Sequence, residues 1–508
     1  MENNIYPEAD LYDSSEFDEF QREYVNAPMR SDIELDLANE VERDDTQLNC
    51  ANAPIRNNAE ENSVNGGRRN QAPSIEYGKA VDCVNGKSLS EAEITRLNLL
   101  NQKYSHVVVG GKHKVASKIP CPHVGSELSL ESIGDFKNHF LTEHRIAGLN
   151  VGDAWLRWSG KVFKSAGLNF CPEPERCPPE VYNLYEGFGV EALQGDVEPY
   201  LFHLKQVICD GDKKAYDYLI SFLAHLVQKP MEKPGVAIVL KSVEGTGKGT
   251  FFEPLKRILG THASQINGAY QLTGRFNSVV ANQQLVFADE VDLTDPRTAD
   301  KIKGLITEPR VCLERKGIDP IHMTSYSRFI FASNHEQVLR AGSRERRFLV
   351  LEPSAEYAQK REYFDHLWNW INANGPSYLL KYLMICDISN FDPRRAPVTK
   401  ALLDEKLQNL TPYQHYMFSE LCKDAPFGGA VRLNTGDLVN NCKVWMEDSG
   451  YTVVIPQVRS AVGKLVQRMG IDRSGKHGRN AMYELPSTEE MQTSFARLLG
   501  HERLEIFE

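Results

Sequence analysis

The stretch Ala237-Ile238-Val239-Leu240-Lys241-Ser242-Val243-Glu244-Gly245-Thr246-Gly247-Lys248-Gly249-Thr250 constrains this chain more than any other. A run of strand-forming apolar residues meets a glycine-rich turn, then a lysine, then a helical pattern from Phe251 to Leu259. That is the order of a phosphate-binding loop. Glycines let the backbone curl with its N–H groups inward, and the following helix adds the positive end of its dipole. Lys248 is then placed over the β- and γ-phosphates, with Glu244, Gly245, Thr246, Gly247, Gly249 and Thr250 as the other nucleotide contacts. Two positions depart from the usual pattern. Ser242 stands where a glycine is common, and Gly249 separates the lysine from Thr250. The same GKGT ending occurs in some nucleotide kinases, so Thr250 or a water is the expected Mg²⁺ ligand beside the loop. Alone, the loop predicts nucleotide binding and leaves the kind of nucleotide enzyme open.

With 508 residues the chain has room for two to four domains. No run approaches the roughly 18 apolar residues that span a bilayer, and the first residues carry no signal-peptide pattern. Ten cysteines are scattered from Cys50 to Cys442, which suits a reducing, cytoplasmic setting better than a disulfide framework. Cys121, His123, His139 and His144 form a conceivable Cys/His metal set, although such a turn and helix are commonly just structure. The net charge of −11 looks hostile to nucleic acid until it is located. Residues 1–75 hold 17 acids and 6 bases, and the remainder holds 52 of each. The acidity therefore belongs to a tail, read as disordered for want of any sustained apolar period.

Residues 76–230 read as an α/β accessory domain. A capped helix starts at Ser90, a hairpin spans Tyr104–Lys112, and further helices cover about 132–143, 197–210 and 214–228. The ATPase domain is expected over 231–375, a helical linker over 376–409 and a DNA-binding module over 410–508. Within the ATPase segment, Gln284–Ala288 is an apolar strand ending in Asp289-Glu290, about 40 residues after the loop, as a Walker B element requires. Asp289 is expected to hold Mg²⁺ and Glu290 to polarise the attacking water. A second apolar strand, Arg328–Ala332, ends in Ser333-Asn334, which assigns Asn334 as the sensor of the γ-phosphate. Arg346 and Arg347 then precede a further strand and are candidates for arginine fingers, which act on a neighbouring subunit's nucleotide. Strand, Lys316-Gly317 and strand predict a basic-tipped hairpin able to grip phosphates, with Lys303 nearby as a second cation.

In this order the motifs resemble the superfamily 3 helicases of phages, satellites and DNA viruses. The similarity is greatest to the helicase half of phage primase-polymerase–helicases and to poxvirus-type primase-helicases, and covers roughly residues 95–370. The resemblance implies an AAA+-type core, a homo-hexameric ring, ATP and Mg²⁺ as cofactors, and translocation on single-stranded and forked DNA. The acidic tail stands where related proteins carry a primase-polymerase domain, so a separate primase or polymerase is the expected partner.

Beyond residue 410 an amphipathic helix over Pro456–Met469 carries Arg459 and Lys464, and a basic loop with Lys476 leads into the strand Ala481–Leu485. Helix plus basic wing predicts a winged-helix-like module with these three residues on DNA. The fold class expected is α/β: a P-loop ATPase core between an α/β accessory domain and a winged-helix-like domain. Two other readings are weighed against the helicase. A nucleotide kinase is suggested by GKGT, and an ATP-binding initiator or regulator binds DNA without unwinding it.

Overall fold

Ser90 begins the first described helix by reciprocal capping. Its hydroxyl accepts from the Glu93 amide while the Glu93 carboxylate accepts from the Ser90 amide at 2.9 Å. The computed structural model describes residues 82–121, 125–268, 270–274, 282–315, 318–342, 345–477 and 480–507; the acidic segment 1–75 lies outside them. Helix α1 (Glu91–Lys103) leads into the hairpin β1 (Tyr104–Val109) and β2 (Lys112–Cys121), followed by β3 (Gly125–Ser132). Short helices α2 (Ile133–Asn138) and α3 (Val151–Arg157) and the strand β4 (Phe163–Lys164) complete a four-stranded sheet of order β3-β2-β1-β4. Its core is aromatic, with Phe136, Phe140 and Trp155 packed among Leu97, Leu100 and Val115. The helix expected to reach Glu143 stops at Asn138. Phe140 turns inward there, and His139 pairs with Glu131 at 2.6 Å.

Helix α4 (Glu198–Phe202) runs into a π-helical turn, His203–Ile208, where one regular helix was expected. Helix α5 (Lys213–Gln228), capped by Asp212, carries the chain to β5 (Ala237–Lys241) and the phosphate loop. Helix α6 (Lys248–Leu259), β6 (Ala263–Asn267), β7 (Leu285–Asp289) and α7 (Pro296–Thr307) follow. Next come the antiparallel pair β8 (Arg310–Arg315) and β9 (Ile318–Thr324), then β10 (Arg328–Ser333) and β11 (Phe348–Leu351). Five strands form one sheet of order β6-β7-β10-β5-β11, every neighbour parallel. Strands β10 and β11 are buried along their whole length, and β5 along all but its last residue, as expected of a parallel sheet covered on both faces. Phe252 of α6 stacks on Phe287 of β7 at 4.8 Å and fixes the helix to one face.

The segments read as accessory and linker also belong to this core. Tyr200 donates to the Phe251 carbonyl at 2.7 Å, and the fully buried Arg328 reaches the last turn of α5 and the loop beyond it. Its guanidinium donates to the carbonyls of His225, Lys229 and Glu232, tying the helix end to the strand. Burial pulls the Arg328 pKa down to about 9. Helix α8 (Arg361–Asn372) follows β11, and the stretch 376–409 is no free linker. Within it, α9 (Gly375–Ile385) buries Leu379, Leu380 and Leu383 and is bonded to α5 through Gln228, while α10 (Lys400–Gln408) buries Ala401 and Leu402 in the core of the sheet. Glu405 of α10, wholly buried, accepts from the amides of Val338 and Leu339 and pairs with Lys241 at 3.1 Å.

The C-terminal part has its own apolar core. It comprises α11 (Pro412–Leu421), β12 (Arg432–Asn434), α12 (Thr435–Asp448), α13 (Ile455–Arg468), β13 (Arg473–His477), β14 (Asn480–Glu484) and α14 (Thr488–Leu499). Its sheet has the order β12-β14-β13, both pairs antiparallel. The α/β class and the parallel P-loop-type sheet agree with the reading of the sequence.

Candidate active site

The phosphate loop is held by contacts the sequence pattern did not anticipate. Gly245 and Gly247 have φ of 81° and 86°, conformations open to glycine and strained for other residues. A Cβ on Gly247 also has no room, because it meets His203 Cε1 at 2.6 Å and Phe364 at 2.9 Å. Ser242, the first departure from the usual pattern, bonds the buried Thr246 hydroxyl at 2.7 Å and accepts from Lys248 Nζ at 3.2 Å. It staples the loop across its width.

Lys248 also donates to the Ser242 carbonyl at 2.9 Å and to Asn334 Oδ1. Burial lowers its pKa, while the nearby Asp289 and Glu244 carboxylates pull it back up. Strand order explains the meeting with Asn334. Strand β10 lies between the loop strand β5 and the Walker B strand β7, so the tips of all three share one edge of the sheet. The carboxyl ends of parallel strands are where ligands of open α/β sheets bind.

Asp289 ends β7 opposite Asn267, and its Oδ1 accepts from the Glu290 amide at 3.0 Å. Glu290 is exposed and has φ of 53°, a left-handed conformation that costs a non-glycine residue about 1–3 kcal/mol. Gly249 has ordinary helical backbone with open space around its Cβ position, and Thr250 one residue on is 7% exposed. A single carboxylate, Asp289, with one hydroxyl, Thr250, suits Mg²⁺, which is usually bound by one or two carboxylates plus substrate phosphates. Among the described residues no group of three or more His, Cys, Asp or Glu is placed to hold a metal by itself. Of the Cys/His set, His139 is taken by Glu131, and His123 lies outside the described residues.

Arg346 and Arg347 do not join these residues. They precede β11, and the Arg347 carbonyl accepts from Ala237 at the start of the neighbouring β5. The pair therefore sits at the sheet edge opposite the loop, about 15 Å away by strand rise. The buried Glu345 carboxylate accepts from both arginine amides at 3.1 and 3.0 Å. Arg347 is also 3.6 Å from it, while Arg346 is exposed.

The expected DNA contacts divide. Lys303 is not a free cation: it is 3.2 Å from Glu345 and only 22% exposed, so its charge is used inside the core. Lys316 lies outside the described residues. Arg459 and Lys464 are exposed on α13, and Arg459 reaches Asn480 at 3.5 Å, at the start of β14. Lys476 lies on β13 opposite Ala481, so helix and hairpin form one continuous region.

Sequence reasoning missed the brace behind the loop. His203 is fully buried, with Nε2 donating to the Gly247 carbonyl at 3.3 Å and Nδ1 accepting from Tyr363 at 2.8 Å. Gly247 offers only an acceptor, so the proton is assigned to Nε2. Burial brings the His203 pKa down to about 4, keeping the ring neutral. Gln359 meanwhile donates its amide to the Gly245 carbonyl at 3.4 Å. The π-helical turn that presents His203 to Gly247 shows only in the fold, where the sequence reads as one regular helix.

Among the described residues no helix is long and apolar enough to cross a membrane. Residues 240–347 match a family model described only as a family of unknown function, DUF5906. The DNA primase-polymerase of Nitratiruptor phage NrS-1 is 24% identical over 218 residues, which is 42% of this chain and 29% of that protein. The chain thus spans under a third of that relative's length. Two structures of the NrS-1 C-terminal region superpose with TM-scores of 0.57 and 0.58 at 15% and 17% identity. They cover 78% and 76% of this chain and 99% and 98% of their own. The chain is therefore similar in fold to the C-terminal region of NrS-1, and in sequence to a phage DNA primase-polymerase.

Proposed function

We propose that this chain is an ATP-dependent DNA helicase of phage or mobile-element replication, translocating on single-stranded DNA as a homo-hexameric ring. Its core is of AAA+ type, with 410–508 as a winged-helix-like module. The observation that carries this reading is a division of the site between two sheet edges. Lys248, Asp289 and Asn334 converge at one edge, and Arg346 and Arg347 stand at the other. Arginines so placed serve a nucleotide on a neighbouring copy, which makes assembly a condition of hydrolysis. A nucleotide kinase has no use for that arrangement.

Lys248 and the loop amides hold the β- and γ-phosphates. Asp289 and Thr250 would hold Mg²⁺, which would supply positive charge to the β- and γ-phosphates. Glu290 takes a proton from the water whose oxygen bonds to the γ-phosphorus as the bond to the β–γ bridging oxygen breaks. Asn334, joined to Lys248, orients that water, and Arg346 or Arg347 of the adjacent copy stabilises the transferring charge. Arg459, Lys464 and Lys476 contact DNA in the C-terminal module, and Lys316 is a further contact.

Steady-state ATP hydrolysis with and without single-stranded DNA tests the reading. Wild-type hydrolysis rises with DNA, Lys248→Ala loses nucleotide binding, and Glu290→Gln keeps binding but loses hydrolysis. DNA-stimulated hydrolysis that survives both substitutions contradicts it.

A further inference from the structure

A second concentration of charge lies away from the phosphate loop, where the ATPase core meets the C-terminal helices. A cavity of about 530 Å³ opens there, bounded by α7, the segment 340–342, the end of α10 and the ends of α13 and α14. Its lining includes Lys303, Arg340, Lys406 and Arg468 against a single acid, Asp300. A second cavity of about 450 Å³ shares Arg468 and adds Arg497. The two share Arg468 as a wall, which sets Arg497 beside the same basic groove.

The cations differ in how their charge is used. Lys303 is paired with Glu345. Arg340, Arg468 and Arg497 are exposed and have no ion pair among the described residues. Lys406 is 4% exposed, and its ammonium meets the Leu499 carbonyl and His501 Nε2, both at 3.1 Å. No carboxylate among the described residues lies within ion-pair distance of it; burial lowers its pKa, and only the more distant Glu345 and Glu505 favour its charged form. The lining carries charge, with Asn409 and Gln414 as amides, and contains no aromatic ring on which a base can stack. Unstacked cations along a groove fit the sugar-phosphate backbone and contribute no base reading.

We propose that this groove takes the phosphodiester backbone of a single DNA strand, held by Arg340, Lys406, Arg468 and Arg497. Arg340 lies midway in sequence between the sensor Asn334 and Arg346. A strand bound there touches the segment that links the γ-phosphate sensor to the finger, so DNA contact bears directly on hydrolysis. The inference rests on the DNA-binding reading above.

The test titrates a fluorescent oligothymidylate against the full chain by anisotropy over a range of salt. It compares wild type with the triple variant Arg340→Gln/Arg468→Gln/Arg497→Gln, whose exposed positions leave the circular dichroism spectrum unchanged. The variant should lose affinity on the order of tenfold or more, and its salt slope should fall by about 2, at about 0.7 per lost phosphate contact. An iododeoxyuridine oligonucleotide should photocross-link to peptides containing Arg340 or Arg468. Unchanged affinity and slope, with cross-links confined to residues 455–464 of α13 and the β13–β14 hairpin, overturn the groove and leave the DNA reading standing. Wild type that binds no oligonucleotide overturns both. Normal DNA binding with loss of a fluorescent ATP analogue, measured on Lys248→Ala with and without the triple change, makes the groove a nucleotide site and also sinks the proposal.

Discussion

Lys248 donates a hydrogen bond to Asn334, so the phosphate-loop lysine and the tip of the neighbouring strand are directly joined. In the proposed mechanism, phosphate at the loop exchanges this contact for one to the γ-phosphate, and Asn334 reports whether that phosphate is present. Asn334→Ala should lower hydrolysis on the order of a hundredfold. Titration with a fluorescent nucleotide should still show binding. A variant with normal turnover removes Asn334 from the mechanism.

Glu290 holds a left-handed backbone at the end of the Walker B strand. Glycine adopts that conformation freely, so Glu290→Gly should stabilise the fold by about 1 kcal/mol while abolishing hydrolysis. Glu290→Gln keeps the strained backbone and should leave stability near wild type. Urea midpoints separate the two. Equal stability in all three proteins denies the strain its role.

The chemistry was most legible where it sits at strand ends. Asp289, Glu290 and Asn334 follow apolar runs whose period and order could be read directly, and the parallel sheet brings those ends together. What could not be read is what lies far apart in sequence. His203 is 44 residues from Gly247 and 160 from Tyr363, so nothing local marks the brace. Glu405 sits in Lys-Ala-Leu-Leu-Asp-Glu-Lys-Leu, where a glutamate reads as a solvated helix face. Lys241 and two amides from residues 338–339 bury it instead. Lys303 looked like a free cation for the same reason, until folding placed Glu345 beside it.

Arg328 joins the start of β10 to the end of α5 and the loop beyond it through the carbonyls of His225, Lys229 and Glu232. Arg328→Leu removes all of these charge-assisted bonds at a fully buried position, and should cost about 3–5 kcal/mol in urea unfolding. A loss below about 1 kcal/mol shows that the guanidinium is replaceable by packing alone.

His203 titrates near 6.5 when unfolded and near 4 in the fold. Between these values the unfolded chain binds the proton and the folded chain does not, so stability is present above pH 6.5 and is lost as pH falls towards 4. The loss from this residue is up to about 3 kcal/mol. Melting temperature against pH should fall through that window, and less steeply for His203→Gln. Parallel profiles for the two proteins contradict the assignment.

Arg346 and Arg347 stand a strand's length from their own phosphate loop. Mixing Arg346→Ala/Arg347→Ala subunits with Glu290→Gln subunits should restore part of the hydrolysis that each lacks, because some interfaces then combine an intact Glu290 with an intact arginine pair. Assembled mixtures with no recovery at any ratio rule out action across an interface.

Strand displacement from a forked duplex tests the central claim most directly. The full chain with ATP and Mg²⁺ should release the labelled strand, and neither a non-hydrolysable ATP analogue nor Glu290→Gln should support release. A chain that binds the fork and hydrolyses ATP yet displaces no strand contradicts the helicase account and leaves an ATP-dependent initiator or regulator in its place.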